Sequence, residues 1–206
     1  MNKEVYTFKL DDYVWDIASL SIILFFVSFL ILKTLGLDYV SFSSVLDVVI
    51  PLFITLVFHE GLHYVTAIIL GYKARVGYGK ISFMPVFYTT VSGKVKPYRW
   101  LIVCLAPLVF SPLMLFLTFY VNSFMKNLIA ITFSLNLIGS SGDLILAASV
   151  KRMRKDATLE DKGSYLIADE PFPKPYGAHF SAFLKAVAIA LVALFLLNLK
   201  VSIEFK

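Results

Sequence analysis

The sequence is poor in charged residues and cysteine. Charged side chains make up 16% of the 206 residues, against about a quarter in a typical soluble domain, so an ordinary soluble domain is excluded. The one cysteine, Cys104, excludes a disulfide within the chain, and its apolar surroundings favour a packed core position. The first sixteen residues lack a short basic head, and no small-x-small cleavage site follows them. We therefore expect no secretory signal peptide.

Hydrophobic residues dominate what is present, at 59% of the chain with a mean hydropathy of +0.80. Five apolar runs are long enough, or nearly so, to cross about 30 Å of hydrocarbon as helices. We predict an all-α polytopic membrane protein, folded as a single membrane-embedded domain over residues 1–206. A short cytoplasmic β-like segment is expected at about 74–95, with one or two strands over 81–91 and a turn near Ser92-Gly93. The predicted spans are about 17–32, 45–70, 100–121, 127–150 and 181–199.

An HExxH motif lies in the second half of the second predicted span. His59 and His63 are four residues apart, so on a helix both imidazoles project from one face and can reach one metal ion. Glu60 lies beside them, where it can act on the site without binding the ion. The alternative is a chance match with two hydrogen-bonded core histidines. A charged residue within a span costs about 2.5–3.5 kcal/mol on insertion scales, so this setting favours a zinc site with Glu60 as its catalytic residue.

A catalytic zinc site needs a third protein ligand. Asp143 lies seven residues before the end of the fourth span, as His63 does in the second, which puts both roughly 10 Å inside a helix end. This shared depth makes Asp143 the predicted third ligand, and a helix cap or interhelical hydrogen bond is its alternative role. Asn136, two turns earlier on the same face, is a candidate to orient a ligand, to bind a substrate carbonyl or to make a plain interhelical hydrogen bond.

Two prolines, Pro107 and Pro112, interrupt the third predicted span. Because proline has no N–H, each leaves a helix carbonyl without its usual partner one turn earlier. A carbonyl inside a membrane must be satisfied by a neighbouring element. We therefore expect a kinked third helix whose freed carbonyls need neighbours, and the alternative role of the two prolines is to shape the bundle.

Positive charge is distributed unevenly about the predicted spans. Fourteen lysines and arginines fall in the N-terminal segment and in the loops 72–99 and 151–180, against four in the other connections and the C-terminal segment. The positive-inside rule then predicts a protein of the cell membrane with a cytoplasmic N-terminus and both loops in the cytoplasm. This topology accounts for the net charge of +5, so no nucleic acid is expected as a partner.

The chain resembles the membrane family described as "putative zincin peptidase" of the DUF3267 type, and more distantly the site-2 proteases. The likeness depends on HEGLH within a span, the basic β-like segment after it, Ala106-Pro107 in the third span, and the Asn-x6-Asp spacing that ends at Asp143. It covers most of residues 50–170. The resemblance implies zinc held by His59, His63 and Asp143, with Glu60 catalytic and the β segment pairing with an unwound substrate.

Two classes of function follow from these residues. The first is a zinc-dependent endopeptidase that cleaves membrane or membrane-proximal protein segments, with the lipid bilayer as its surroundings and oligomeric state unknown. The second is a non-catalytic zinc-binding scaffold or a metal carrier. A carrier is expected to show a polar pathway across several spans, whereas here the polar residues form one patch at one depth.

The charge asymmetry generates a test of topology. On a Cys104→Ala background, a cysteine placed at Ser92 or Ser164 should be shielded from a membrane-impermeant reagent added outside intact cells, because both positions are predicted to be cytoplasmic. Labelling should appear once the membrane is permeabilised. Efficient labelling of either cysteine in intact cells would overturn the predicted orientation.

Overall fold

The computed structural model describes residues 5–37, 44–82 and 84–198. Within these residues, five helical stretches are long and apolar enough to cross a membrane: Leu10–Thr34, Leu46–Ile69, Pro97–Tyr120, Ser123–Val150 and Ala178–Leu197. The chain is thus a multi-pass, mainly α-helical membrane protein, which confirms the predicted fold class. The α-helices are α1 (Val14–Thr34), α2 (Leu46–Ile69), α3 (Pro97–Leu117), α4 (Ser123–Gly139), α5 (Ser141–Val150) and α6 (Ala178–Asn198).

The predicted spans differ from the observed helices mainly at their ends. The first prediction was too short, since the helical stretch begins at Leu10 and runs to Thr34. The fourth span is divided at Ser140, where the backbone leaves regular helical geometry between α4 and α5. The predicted end of the last span at Leu199 lies outside the described residues.

The boundary after α2 has a clear local cause. Gly71 adopts a φ of +83°, which glycine reaches without the steric penalty of a Cβ. The N–H of Tyr72 then donates to the carbonyl of Ala67 at 3.0 Å, the capping bond expected when a helix ends on a left-handed glycine. The chain therefore turns directly from the HExxH helix into the first long strand.

That strand belongs to a two-stranded antiparallel hairpin, formed by β2 (Lys73–Ile81) and β3 (Met84–Ser92). The β-like segment predicted from the sequence is thus present, and its strands begin earlier than expected, at Lys73. The predicted turn at Ser92-Gly93 lies between β3 and the short strand β4 (Lys94–Val95), with Gly93 at a φ of +88°.

A second sheet was not predicted. It has four strands in the order β1, β6, β5, β4, with β1 over Tyr6–Lys9, β5 over Leu159–Asp161 and β6 over Tyr165–Ala168. The N-terminal segment, the segment after β3 and the 151–180 loop are hydrogen bonded together in this sheet. These three segments therefore lie on one side of the membrane, as the charge pattern predicts, while the assignment of that side to the cytoplasm stays a prediction.

The two sheets meet around the ring of Tyr88. On one side the ring lies against β2, where a Cβ added to Gly77 or Gly79 would lie 2.8 or 2.9 Å from a ring carbon. On the other side a Cβ added to Gly163, in the turn between β5 and β6, would overlap the same ring. Three glycines thus make the space that lets Tyr88 bridge the hairpin and the larger sheet.

This contact generates a paired prediction. Gly163 and Gly93 both have positive φ, so alanine costs about 1–2 kcal/mol of backbone strain at either position. Of these two glycines, Gly163 alone faces Tyr88, because nothing lies within 4 Å of a Cβ at Gly93. We expect Gly163→Ala to lose about 1–3 kcal/mol more than Gly93→Ala through overpacking, measured by reversible unfolding in detergent.

A double-mutant cycle with Tyr88→Ala isolates the proposed cause. The additional loss at Gly163 should disappear when the ring is absent, whereas the loss at Gly93 should not change. Equal losses at the two glycines, or no coupling between Gly163 and Tyr88, would contradict this account.

Candidate metal site

The HExxH helix presents its two histidines to α3 and α4. The rings of His59 and His63 are stacked edge to face, with centroids 5.0 Å apart, as expected for side chains one helical turn apart. The ligand atoms of His59, Glu60 and His63 all lie within 4.8 Å of one another. Helical spacing alone therefore brings two imidazoles and one carboxylate to a single place.

A second carboxylate completes this group from a distant part of the chain. Asp143, in the first turn of α5, has its Oδ2 3.2 Å from Nε2 of His59 and 3.6 Å from Nε2 of His63. The side chains of the three residues are between 10% and 17% exposed. The three ligands predicted from a shared depth are thus adjacent and mostly buried.

The ring of His63 is oriented by a carbonyl that a proline leaves free. Its Nδ1 lies 2.8 Å from the carbonyl oxygen of Val103 in α3. In a regular helix that carbonyl would accept from the N–H of Pro107, which does not exist. Because a carbonyl only accepts, Nδ1 of His63 is the donor, and in a neutral ring Nε2 then carries a lone pair toward Asp143.

His59 is oriented in the same way by Asn136, which is fully buried in α4. The Nδ2 of Asn136 donates to the carbonyl of Pro107 and to Oγ of Ser111, each at 2.9 Å. These two bonds turn the amide oxygen toward His59, whose Nδ1 lies 3.1 Å away. Nδ1 of His59 is then the donor, and its Nε2 also presents a lone pair to Asp143.

The resulting centre has acceptors facing one another. Oδ2 of Asp143 and Oε2 of Glu60 are both buried, and neither has a hydrogen-bond partner among the described residues. With both rings neutral, two imidazole lone pairs converge on the same carboxylate, whose Oδ2 lies 3.2 and 3.6 Å from the two Nε2 atoms. Buried acceptors without donors are costly, and a cation placed among them satisfies all at once. The nitrogen and oxygen atoms of this centre suit Zn²⁺, so the residues present fit a zinc ion.

A cavity of about 180 Å³ adjoins the centre and is lined by residues of both sheets. Strand β3 reaches the motif directly, since the hydroxyl of Thr89 donates to the backbone carbonyl of Glu60 at 3.0 Å. On α3, the thiol of Cys104 donates to the backbone carbonyl of Asp143 at 3.3 Å, which agrees with the buried packing role expected for this cysteine. The cavity thus lies where helices and extramembrane strands meet.

One further carboxylate in this cavity, Asp161, was missed by sequence reasoning. It ends β5, and its two oxygens accept from the N–H of Val91 at 3.1 Å and of Gly163 at 2.8 Å. Burial raises the pKa of Asp161 to about 6, although both hydrogen bonds act in the opposite direction. No helical spacing or motif marks this residue, because it reaches the cavity through pairing of short strands.

Fold and site together define a multi-pass membrane protein with a zincin-type HExxH motif. The chain matches the family model DUF3267, described as "Putative zincin peptidase", over residues 52–158, and it belongs to this family. It is also 30% identical, over 97% of its own length and 90% of the relative, to an "Uncharacterized 24.7 kDa protein in gap 5'region" of Pyrococcus woesei. No solved structure matches the chain.

The contact between Asn136 and His59 predicts an effect on metal affinity. Asn136→Ala should weaken zinc binding about 10–100-fold, because the ring of His59 loses the acceptor that orients it. Competition with a chromogenic chelator on purified protein measures the change. Asn127→Ala in the same helix is the matched control, since Asn127 lies beside Asp47 and Pro51, away from the cavity. Unchanged affinity in a folded Asn136→Ala protein would show that the ring is held by other means.

Proposed function

We propose that this protein is a zinc-dependent, membrane-embedded endopeptidase that cleaves membrane or membrane-proximal protein segments. The observation that carries the proposal is the convergence of His59, His63 and Asp143, with Glu60 beside them and all within one buried cavity. Membership of a family described as "Putative zincin peptidase" supports the same activity.

His59, His63 and Asp143 would hold the metal, since the Nε2 atoms of both histidines face Oδ2 of Asp143. Three protein ligands leave a position open for water or substrate, as catalytic zinc sites require. When bound, zinc lowers the pKa of water toward 7 and polarises a carbonyl. Asn136 and the Val103 carbonyl act behind the ligands, since each keeps one imidazole in the tautomer that presents Nε2. Because Asn136 is fully buried, orienting His59 is favoured over direct contact with substrate.

Glu60 is assigned the proton transfers. Its buried Oε2 has no hydrogen-bond partner among the described residues, so this oxygen is available to take a proton from the attacking water and pass it to the leaving amine. The bond from Thr89 to the Glu60 carbonyl ties this part of α2 to the hairpin. This hydrogen bond therefore joins the backbone of the catalytic residue to the strand that lines the cavity.

The hairpin is assigned to substrate binding. Residues 86–89 of β3 line the cavity, and β2 and β3 pair only with each other among the described strands. Their remaining backbone N–H and C=O groups can pair with an extended segment, a recurrent mode of peptide recognition. An unwound stretch of a membrane protein, lying along this hairpin, is brought next to Glu60.

Glu60→Gln separates this enzyme from a metal-binding scaffold or carrier. The amide cannot accept the water's proton, so turnover of a membrane-embedded reporter should fall by about 10²- to 10⁴-fold. Zinc content should persist, because both imidazoles and Asp143 remain. Asp143→Ala is the comparison, in which both zinc content and turnover should fall.

The outcome against the proposal is equally defined. Wild-type and Glu60→Gln proteins that both bind zinc and give identical substrate profiles would favour the non-catalytic scaffold. Quantitative proteomics of membranes containing each variant extends the comparison to natural substrates.

A further inference from the structure

The cavity beside the metal site is acidic although the chain as a whole is basic. Its lining includes three carboxylates, those of Glu60, Asp143 and Asp161, and no described lysine or arginine. The net charge of the chain is nevertheless +5, with 19 lysines and arginines. A buried group of like charges is unfavourable unless something positive joins it. Apart from His59 and His63, the described lining offers these carboxylates no positive side chain, so the cavity favours a bound cation.

The proposed metal balances only part of this charge. Two positive charges on a zinc ion offset the two carboxylates next to the histidines, Glu60 and Asp143. Asp161 is then the remaining negative group, and no described lysine or arginine forms an ion pair with it. Its two hydrogen bonds come from backbone N–H groups, which leave further acceptor positions on a carboxylate open.

A second feature points to a ligand at the same place. Trp100 is 5% exposed, lines the cavity, and its Nε1–H has no hydrogen-bond partner among the described residues. Against the effect of burial, the Trp100 side chain lowers the pKa of Asp161, so the indole N–H lies near this carboxylate, although the two groups do not meet the geometry of a hydrogen bond. A buried indole N–H ordinarily has an acceptor, so this donor is available to a bound molecule.

We propose that Asp161 and Trp100 form a subsite for a basic side chain of the peptide substrate, next to the metal site. The cation of a lysine or arginine meets the Asp161 carboxylate, and its aliphatic stem lies along the ring of Trp100. The Trp100 N–H donates to a carbonyl oxygen of the same segment. This inference rests on the proposed peptidase function and adds a substrate preference to it.

The first test measures cleavage with a charge series. Reporter segments carry Lys, Gln or Glu at successive positions flanking the scissile bond and are cleaved by full-length protein in proteoliposomes. Wild-type protein should prefer Lys over Glu about tenfold or more at one position. An opposite charge within about 4–6 Å of a carboxylate typically shifts its protonation equilibrium by at least that factor, which sets the scale of the interaction. Asp161→Asn should abolish the preference.

The matched control is Glu160→Gln, on the neighbouring residue of β5. Glu160 pairs with Lys162 at 3.0 Å and does not line the cavity. This variant removes the same charge from the same strand, so it should keep the preference for Lys. Loss of the preference in Glu160→Gln, or its retention in Asp161→Asn, would overturn the assignment.

Binding without turnover separates this inference from the proposed function. Fluorescent peptides with Lys or Glu at the selected position are titrated into Glu60→Gln protein and into Glu60→Gln/Asp161→Asn protein, with anisotropy as the readout. A Lys preference in binding that depends on Asp161 supports the subsite, even where no variant cleaves any reporter. The absence of cleavage would count against the peptidase function and not against the subsite. Equal binding of the two peptides to Glu60→Gln protein would reject the subsite.

The pH dependence of the Lys preference is a further measurement, which a purely structural role of Asp161 would leave unchanged. Burial raises the pKa of Asp161 to about 6, so the carboxylate is mostly charged at pH 7.5 and mostly protonated at pH 5. The Asp161-dependent part of the Lys preference should grow as the pH rises through about 6. The Asp161→Asn profile subtracts the contributions of other titratable groups, such as His63 and Cys104, which interact electrostatically with Asp161.

Folding of the variants is checked by thermal unfolding in detergent, because Asp161 also holds β3 and the turn after β5. If Asp161→Asn does not fold, the wild-type series Lys, Gln, Glu remains a test, and no dependence of cleavage on side-chain charge would reject the subsite. Asp161→Glu keeps the charge and should keep the preference. Trp100→Phe keeps the ring and should weaken all three peptides alike.

Discussion

The orientation of two imidazole rings is the constraint on which this site depends. Each ring donates from Nδ1 to a buried acceptor, the Val103 carbonyl for His63 and the Asn136 amide oxygen for His59. The opposite nitrogens then present lone pairs to one carboxylate on Asp143. Such a group of acceptors is unfavourable in a buried place unless a cation joins it. Under the proposed function, these hydrogen bonds pre-organise the two histidines to bind a metal ion.

Those hydrogen bonds depend on a proline in the neighbouring helix α3. Pro107 removes the N–H that would otherwise occupy the Val103 carbonyl, and its own carbonyl receives the amide of Asn136. One proline in α3 thus contributes to the positions of both histidines in α2. Outside the spans, Thr89 bonds to the Glu60 carbonyl, and Asp161 bonds to Val91 in the same strand. The strands therefore line one side of the cavity, and the helices that carry the histidines and Asp143 line the other.

Sequence reasoning predicted the parts of this arrangement that arise from local periodicity. Apolar runs located all five spans, because a helix needs about 20 apolar residues to cross a bilayer. The i, i+4 spacing placed His59 and His63 together, and comparison of depth brought in Asp143. The four-stranded sheet was missed, since strands of two to four residues carry almost no periodic signal. Asp161 was missed with it, because only strand pairing brings that carboxylate to the cavity.

By itself, the sequence determined the membrane class, the helix that bears the motif and the chemical nature of the three predicted ligands. These properties follow from composition and from spacing along one helix, which need no knowledge of neighbouring elements. The tertiary structure alone decided which nitrogen of each histidine faces Asp143. It also decided that Asn136, whose role the sequence left open, contacts His59. Finally, it placed Asp161, at the end of a strand, in the lining of the cavity. Each of these depends on contacts between residues 40 to 77 positions apart, those joining His63 to Val103, Val91 to Asp161 and His59 to Asn136. Hydrogen bonds of a few ångströms across such separations exist only after the helices and strands have packed.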